Sequence, residues 1–265
     1  MEQFLPHQPL QPGPGSSFSD LLRHVAPTAL PNLDALADVP HGTTVIAAQC
    51  AEGVVMAGDR RATAGYTIAS RRIEKIFPAD AHSGVAIAGA AGPAVEMVRL
   101  FQVQLEHYEK VEGEVLSLEG KANQLSQLIR ANLGAAMAGL AVVPVFAGYD
   151  LRREVGRVFS YDITGGRYEE QDYTTTGSGS VHARNWLKST WTSGVPATEL
   201  VSLCIQALFA AADEDVATGG PDLVRGIYPM IAVITKDGYK QWTDAEVEAA
   251  ARSVLGGRAQ GGTTS

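Results

Sequence analysis

The stretch TTVIAAQCAEGVVMAGDRR, residues 43–61, decides the fold. It contains two apolar runs, and the turn residues Ala51-Glu52-Gly53 separate them. Apolar runs on both sides of a glycine-containing turn are typical of a β-hairpin, so the pattern predicts strands at Thr43–Gln49 and Val54–Ala57. In such a hairpin the second strand returns to the start of the first. We therefore expect Gly58-Asp59-Arg60-Arg61 to lie beside Thr43.

The rest of the pattern predicts further hairpin-linked strands and helices that come in pairs. The strands are expected at Ile73–Phe77, Val85–Ala88, Val142–Gly148, Arg157–Asp162, Tyr168–Thr175, Met230–Thr235 and Tyr239–Trp242. The helices are expected at about Pro93–Tyr108, Leu118–Ala138, Val181–Thr190, Ala197–Asp213 and Asp244–Ser253. Paired helices argue against a βαβ alternation. The predicted class is α/β (α+β), with two antiparallel sheets packed face to face and covered outside by helix pairs.

The two ends of the chain differ in composition from its middle. Residues 1–42 hold seven of the 13 prolines, and residues 256–265 are mostly small. The change in composition along the chain therefore predicts three parts: an N-terminal segment 1–42, a folded domain 43–255 and a flexible tail 256–265. A disordered tail is the plain alternative for residues 1–42.

Composition and charge exclude several classes of function. The net charge of −8 argues against a nucleic-acid partner. Cys50 and Cys204 have neither the number nor the spacing of a disulfide framework or a zinc site, which favours a reducing, cytoplasmic setting. We expect no membrane contact, because Ala131–Gly148 is interrupted by Pro144 and no secretory signal is visible. Without an HExxH, a P-loop or a G-x-S-x-G motif, we expect no metal and no cofactor.

The junction Gly42-Thr43 can carry chemistry if the chain is cleaved there. Thr43 would then hold a hydroxyl and a free α-amino group, whose unperturbed pKa of about 7.7–8.0 leaves a useful neutral fraction near pH 7. The amine can take the hydroxyl proton and activate the nucleophile. A threonine at the start of an ordinary strand is the alternative.

Two further elements strengthen this interpretation. In the predicted strand Ile73–Phe77, alternation places Lys75 on an apolar face, where a lysine must be paired to stay charged. Asp59 is a suitable partner, and an ammonium near Thr43 would lower the hydroxyl pKa. A solvent-facing edge lysine is the alternative. The small residues of Ala88–Pro93 could offer a backbone N–H to an oxyanion, bind phosphate at a helix start, or only form a tight turn.

Taken together, these segments resemble the β subunits of the proteasome, in the actinobacterial type. The matching motifs are Thr43-Thr44-Val45, Gly58-Asp59-Arg60-Arg61-Ala62-Thr63, Glu74-Lys75-Ile76, Ala88-Gly89-Ala90-Ala91-Gly92, Gly177-Ser178-Gly179-Ser180, Ala217-Thr218-Gly219-Gly220-Pro221-Asp222 and Arg225-Gly226-Ile227-Tyr228-Pro229. The resemblance runs from Thr43 to about residue 255. It implies a four-layer αββα N-terminal-nucleophile hydrolase.

The resemblance also implies roles for particular residues. Thr43 is the expected nucleophile, with Asp59 and Lys75 as the charge pair beside it. The Gly89 N–H is the expected oxyanion donor. Ser178 and Asp215 are expected to support the N-terminus, together with Thr218, where many relatives have serine. Residues 1–42 would be a propeptide, removed by autocatalytic cleavage between Gly42 and Thr43.

The same resemblance implies a specificity pocket without charge. Its expected wall comprises Ala62, Ile73, Phe77, Ile87, Ala91 and Val95. Such a wall accepts apolar P1 side chains and rejects charged ones, because a charged group would lose water without gaining a partner.

The implied partners are proteasome α subunits and other β subunits in stacked heptameric rings. A regulatory ATPase would act indirectly through the α ring, and unfolded proteins would be the substrates. Two alternatives remain at this point: another N-terminal-nucleophile amidohydrolase acting on small amides, and a non-catalytic ring subunit. The presence of Thr43, Asp59 and Lys75 argues against the second.

Overall fold

The computed structural model describes residues 42–261, which form two five-stranded antiparallel sheets and a small hairpin. The strands are β1 (Thr44–Cys50), β2 (Gly53–Gly58), β3 (Ala62–Ala64), β4 (Thr67–Ser70), β5 (Ile76–Asp80), β6 (Ser83–Ala86), β7 (Val145–Asp150), β8 (Val155–Tyr161), β9 (Arg167–Glu170), β10 (Tyr173–Gly177), β11 (Met230–Thr235) and β12 (Gly238–Gln241). The first sheet has the order β10-β1-β2-β11-β12 and the second β5-β6-β7-β8-β9, while β3 and β4 pair with each other.

Residues 42–261 also form six helices, and five of them pack on the two sheets. They are α1 (Ala91–Glu112), α2 (Leu118–Ala131), α3 (Leu133–Met137), α4 (Ser180–Thr190), α5 (Ala197–Glu214) and α6 (Asp244–Gly261). Residues of α1 and α2 share one apolar cluster with the second sheet, and residues of α4, α5 and α6 share another with the first. A third cluster lies between the sheets. The predicted four-layer arrangement is confirmed, with α6 added to the pair on the first sheet.

Strand β1 shows why the layers form. Successive side chains of a strand point to opposite faces. Ile46 and Ala48 enter the cluster under the helices, whereas Val45 and Ala47 enter the cluster between the sheets. All four are fully buried. A strand that is apolar on both faces needs cover on both sides, and this places the start of β1 in the middle of the molecule.

The segment around Lys75 differs from the prediction. The predicted strand Ile73–Phe77 is wrong in its first half, because β5 begins only at Ile76. The backbone of the preceding residues bonds to different elements: Ile73 N–H donates to Arg60 O, and Lys75 O accepts from Ile87 N–H. Lys75 therefore lies in an extended connection at the edge of a sheet, and simple strand alternation does not describe its face.

Two other predicted elements are divided in the structure. The predicted strand Tyr168–Thr175 is two strands in different sheets, since β9 pairs with β8 and β10 pairs with β1. The chain crosses between the sheets at Asp172, whose carbonyl accepts from Gln49 N–H. The predicted helix Leu118–Ala138 is interrupted at Asn132.

The hairpin of β3 and β4 is absent from the prediction, and α6 continues past Ser253 into the segment predicted to be a tail. In the described part of the chain, no helix combines the length and the apolar character that crossing a membrane requires.

Candidate active site

Thr43 lies immediately before β1, where the first sheet brings three strands together. Its neighbour Thr44 pairs with Gly177 of β10, and Val45 pairs with Gly58 of β2. Only 5% of Thr43 is exposed. Its Oγ1 donates a hydrogen bond to the carbonyl oxygen of the preceding residue, Gly42, at 2.6 Å. The hydroxyl is thus held against the peptide group that would have to be cleaved.

Lys75 places its ammonium group beside the same carbonyl. The Nζ donates to Asp59 Oδ1 at 2.6 Å, to Arg61 O at 2.6 Å and to Gly42 O at 3.1 Å. Burial lowers the pKa of Lys75, and the nearby Asp59 carboxylate opposes that effect without cancelling it. The ammonium uses all three protons, one of them on the oxygen at the candidate cleavage point.

Asp59 anchors this side of the site. The residue is fully buried and follows β2 directly. Besides Lys75, it accepts from three backbone amides: Thr44 N–H at 2.8 Å, Arg61 N–H at 2.8 Å and Gly219 N–H at 2.9 Å. A buried carboxylate with four donors is fixed in place, so the position of Lys75 Nζ is fixed with it.

A second carboxylate lies on the other side of Thr43. Asp215 Oδ2 accepts from Ser178 Oγ at 2.5 Å and from Thr218 Oγ1 at 2.6 Å. Burial alone would raise the pKa of Asp215, but the hydrogen bonds from Ser178 and Thr218 outweigh it and lower the pKa. Ser178 Oγ in turn accepts from the backbone N–H of Thr43 at 3.4 Å. The nitrogen of Thr43 is therefore linked to an ionised carboxylate through one hydroxyl.

Gly89 occupies a position that only glycine fits. Its φ is +106°, and a Cβ there would lie 2.1 Å from Ala141 O. Within residues 42–261 its amide N–H has no hydrogen-bond partner, whereas the neighbouring Ala90 N–H bonds to Ala141 O. Gly89 and Thr43 line the same cavity. A free donor is thus available next to the nucleophile.

That cavity contains only part of the expected specificity pocket. Ala62, Ile73, Ile87 and Ala91 line it, together with Lys75 and Gly89. The empty space beside these residues is about 270 Å³ when the part open to solvent is included.

Two predicted wall residues do not line this cavity, and two charged residues, Glu74 and Lys75, do. Phe77 and Val95 instead pack against the apolar cluster under α1 and α2. Glu74, which is exposed, lies on the cavity wall. The cavity therefore has charged groups beside the four predicted apolar residues that line it.

Comparison with known proteins assigns the family. The family described as Proteasome subunit matches residues 39–224. The chain belongs to the proteasome family. A Proteasome subunit beta from Streptomyces griseus is 55% identical over 257 residues, covering 95% of this chain and 91% of the relative. The Proteasome subunit beta of Acidimicrobium ferrooxidans is 58% identical over 238 residues, covering 89% and 87%. That of Stackebrandtia nassauensis is 54% identical over 253 residues, covering 92% and 91%.

These matches support the function of a proteasome β subunit, which makes the chain a component of a protease. Among the described residues of this proteasome-family chain, no group of three or more His, Cys, Asp or Glu is placed to hold a metal ion.

The structure brings all seven residues predicted for the chemistry into one region. These are Thr43, Asp59, Lys75, Gly89, Ser178, Asp215 and Thr218. Sequence reasoning missed three contributors: the carbonyl of Arg61, the amide of Gly219 and the side chain of Thr44. Two of them are backbone groups, which no residue type reveals. Thr44 directly follows the nucleophile in the sequence, and threonine is a common residue type in β-strands.

Proposed function

We propose that this chain is a threonine-type endopeptidase, the catalytic β subunit of a proteasome core particle, made as a zymogen that cleaves itself between Gly42 and Thr43. The observation that carries the proposal is the arrangement at one peptide group. Thr43 Oγ1 is 2.6 Å and Lys75 Nζ 3.1 Å from the carbonyl oxygen of Gly42. A nucleophile and a cation thus converge on the bond that must break.

This geometry supports the proposed self-cleavage. Thr43 Oγ1 attacks the carbonyl carbon of Gly42, and the negative charge that develops on the carbonyl oxygen faces the Lys75 ammonium. The C–N bond then breaks, the nitrogen takes the proton that the hydroxyl gives up, and Gly42 is held as an ester on Thr43. Water hydrolyses the ester. This step releases residues 1–42, a segment that apart from Gly42 lies outside the described residues.

Turnover of substrate repeats the same chemistry with the freed amine. The α-amino group of Thr43 takes the proton from its own hydroxyl, and Oγ1 attacks the substrate carbonyl. The Gly89 N–H stabilises the tetrahedral oxyanion, and the amine passes the proton to the leaving group. Ser178 and Asp215 hold the amine in place, while Asp59 keeps Lys75 charged. The acyl-enzyme ester is then hydrolysed by water.

The pocket favours apolar P1 side chains. Of its lining residues, Ala62, Ile73, Ile87 and Ala91 carry no charge, and Ala62 and Ala91 are small. Burying a leucine- or phenylalanine-sized group contributes about 1.5–3 kcal/mol relative to leaving it exposed.

The proposed setting is a cytoplasmic barrel. β subunits of this type stack as heptameric rings, α subunits cap them, and a regulatory ATPase feeds unfolded proteins through the α ring. Support for this assembly is the high identity to relatives named Proteasome subunit beta over most of their length.

Hydrolysis of fluorogenic peptides by the chain assembled with α subunits tests the proposal. Thr43→Ala removes the hydroxyl, so hydrolysis should fall to background. Thr43→Ser keeps a hydroxyl and should retain measurable activity. Undiminished hydrolysis by Thr43→Ala would show that the nucleophile is another group.

A further inference from the structure

Close to Thr43, the hydroxyl oxygens of Thr44 and Thr218 and a carboxylate oxygen of Asp215 form a hydrogen-bonded cluster. Thr44 Oγ1 lies 2.6 Å from Thr218 Oγ1, and Thr218 Oγ1 donates to Asp215 Oδ2 at 2.6 Å. Thr44 and Thr218 are both fully buried. Water therefore does not compete for these bonds, and each oxygen depends on its protein neighbours.

The number of protons fixes the direction of each bond. A threonine hydroxyl has one proton, and Thr218 gives its proton to Asp215. The short contact between the two threonines therefore requires Thr44 to donate. Thr44 Oγ1 in turn accepts from Gly179 N–H at 3.1 Å. The chain runs in one direction, from the Gly179 amide through Thr44 and Thr218 to the Asp215 carboxylate.

Gly179 provides the space for this chain. A Cβ at this position would lie 2.5 Å from Thr44 Oγ1 and 2.6 Å from Thr218 Oγ1, closer than real Cβ atoms approach. The same Cβ would lie 3.1 Å from Asp215 Oδ2. The glycine thus allows the backbone to reach the cluster and donate to it.

The backbone of Thr44 is bound on the opposite side of the site. Its N–H donates to Asp59 Oδ1 at 2.8 Å, the same oxygen that accepts from Lys75 Nζ at 2.6 Å. Thr44 consequently connects the two carboxylates, with its amide on Asp59 and its hydroxyl on the chain to Asp215. It is also covalently joined to Thr43.

We infer that Thr44 is a positioning residue: its hydroxyl and its amide together set the place of Thr43 between Lys75 and Ser178. This inference rests on the proposed threonine-type function. It makes Thr44 different from a threonine that only fills space in β1, because it assigns the effect to the hydroxyl proton and not to side-chain volume.

Thr44→Val tests this in the full chain assembled with its α partner, since valine keeps the shape and removes the hydroxyl. We expect kcat for peptide hydrolysis to fall about tenfold, equivalent to about 1.4 kcal/mol, which is within the net worth of one buried hydrogen bond. KM should stay within about twofold, because the hydroxyl does not touch the cavity. Thr44→Ser restores the hydroxyl and should restore kcat.

Thr175→Val is the matched control. It removes a threonine hydroxyl from β10. The Thr175 hydroxyl donates to Ser180 O at 3.0 Å and takes no part in the hydrogen bonds between Gly179, Thr44, Thr218 and Asp215. The kcat of Thr175→Val should stay near that of the wild type. An equal loss in Thr175→Val, a loss that Thr44→Ser does not restore, or an unchanged kcat in Thr44→Val would overturn the inference.

Thr218→Val breaks the same contact from the other side, and its kcat should fall at least tenfold even if Thr44→Val fails to assemble. Where Thr44→Val does assemble, adding it to Thr218→Val should change kcat little, because both remove one shared bond. An intact kcat in Thr218→Val or a further tenfold loss in the double variant would contradict the inference.

Amide hydrogen exchange separates this inference from the proposed function. Thr44→Val should speed exchange at Gly179, and Thr44→Ser should not. Unchanged exchange would refute the chain of bonds whatever the activity, whereas a wild type without Thr43-dependent hydrolysis would refute the proposed function alone.

Discussion

Within residues 42–261 the buried cations are Lys75, Lys121 and Arg157, and the surroundings of Arg157 and Lys75 differ. Arg157, on β8 in the second sheet, is 3% exposed and pairs with three carboxylates: Asp150, Glu119 and Glu169. The hydrogen bond to Glu169, followed by those to Glu119 and Asp150, outweighs burial and raises the Arg157 pKa. Three carboxylates thus surround one guanidinium, so the negative charge next to Arg157 exceeds its single positive charge.

Lys75 is just as buried, but it has a single carboxylate partner, Asp59, and two neutral carbonyl oxygens. Burial lowers its pKa. We expect one type of interaction to serve two purposes here. Arg157, which is fully compensated, should stabilise the fold, whereas Lys75, with one countercharge, should act on the Gly42 carbonyl to which it donates.

Removing the site cation should have the largest effect. Lys75→Ala should lower kcat by about a thousandfold, the upper range for losing one group that stabilises charge in the transition state. Lys75→Arg should not restore activity, because the longer forked head does not fit between three oxygens placed for an ammonium. Peptide hydrolysis measures this, with exposed Lys110→Ala as the control. Substantial activity in Lys75→Arg would mean that positive charge alone suffices.

Removing the structural cation should act on stability instead. Arg157→Met leaves three carboxylates close together and should lower the free energy of unfolding by about 3 kcal/mol. This is the lower end of the range for a broken buried pair, since Glu119 and Glu169 are 42% and 36% exposed. Urea unfolding measures it, with exposed Arg153→Met as the control. The kcat of folded Arg157→Met should equal that of the wild type. A hundredfold fall would show that Arg157 affects catalysis as Lys75 does, which would contradict the comparison.

The apolar part of the cavity, lined by Ala62, Ile73, Ile87 and Ala91, should set substrate preference. Cleavage after Leu, Tyr or Phe should exceed cleavage after Arg or Glu by at least about tenfold in kcat/KM, because about 1.4 kcal/mol already gives that ratio. Glu74 on the cavity wall offers a countercharge for a basic P1 group. Glu74→Gln should therefore reduce cleavage after Arg further and leave cleavage after Leu unchanged. Faster turnover of an Arg substrate by the wild type would contradict this pocket.

The smallest expected effect is on the pH dependence of stability, which should differ between the wild type and Arg157→Met in acid. Arg157 hydrogen bonds lower the pKa of Glu119 and Glu169 in the folded state. A carboxylate whose pKa is lowered on folding adds stability above its unfolded pKa, about 4.3 for glutamate, and loses it as pH falls through the folded value. Below about pH 4.3 the wild type should lose stability faster than Arg157→Met. Parallel curves from pH 6 to pH 3 would show that these pairs contribute nothing.

Much of this architecture could be predicted, and the failures have physical causes. The hairpin 43–61 has two apolar runs and a clear turn between them, so its pairing was predictable, and Asp59 beside Thr43 followed from it. The extended connection at Lys75 was not, because its backbone bonds go to three separate elements. The role of Thr44 was hidden as well, since its partner Thr218 is 174 positions away and only the folded chain brings the two hydroxyls together.

The most direct test of the central claim is the intact mass of the chain after assembly from pure components. The account predicts that the wild type loses residues 1–42 and begins at Thr43, and that Thr43→Ala, which lacks the hydroxyl held on the Gly42 carbonyl, keeps its full length. If Thr43→Ala is still trimmed after Gly42 in that reconstitution, the chain does not cleave itself and the geometry at this peptide group has another purpose.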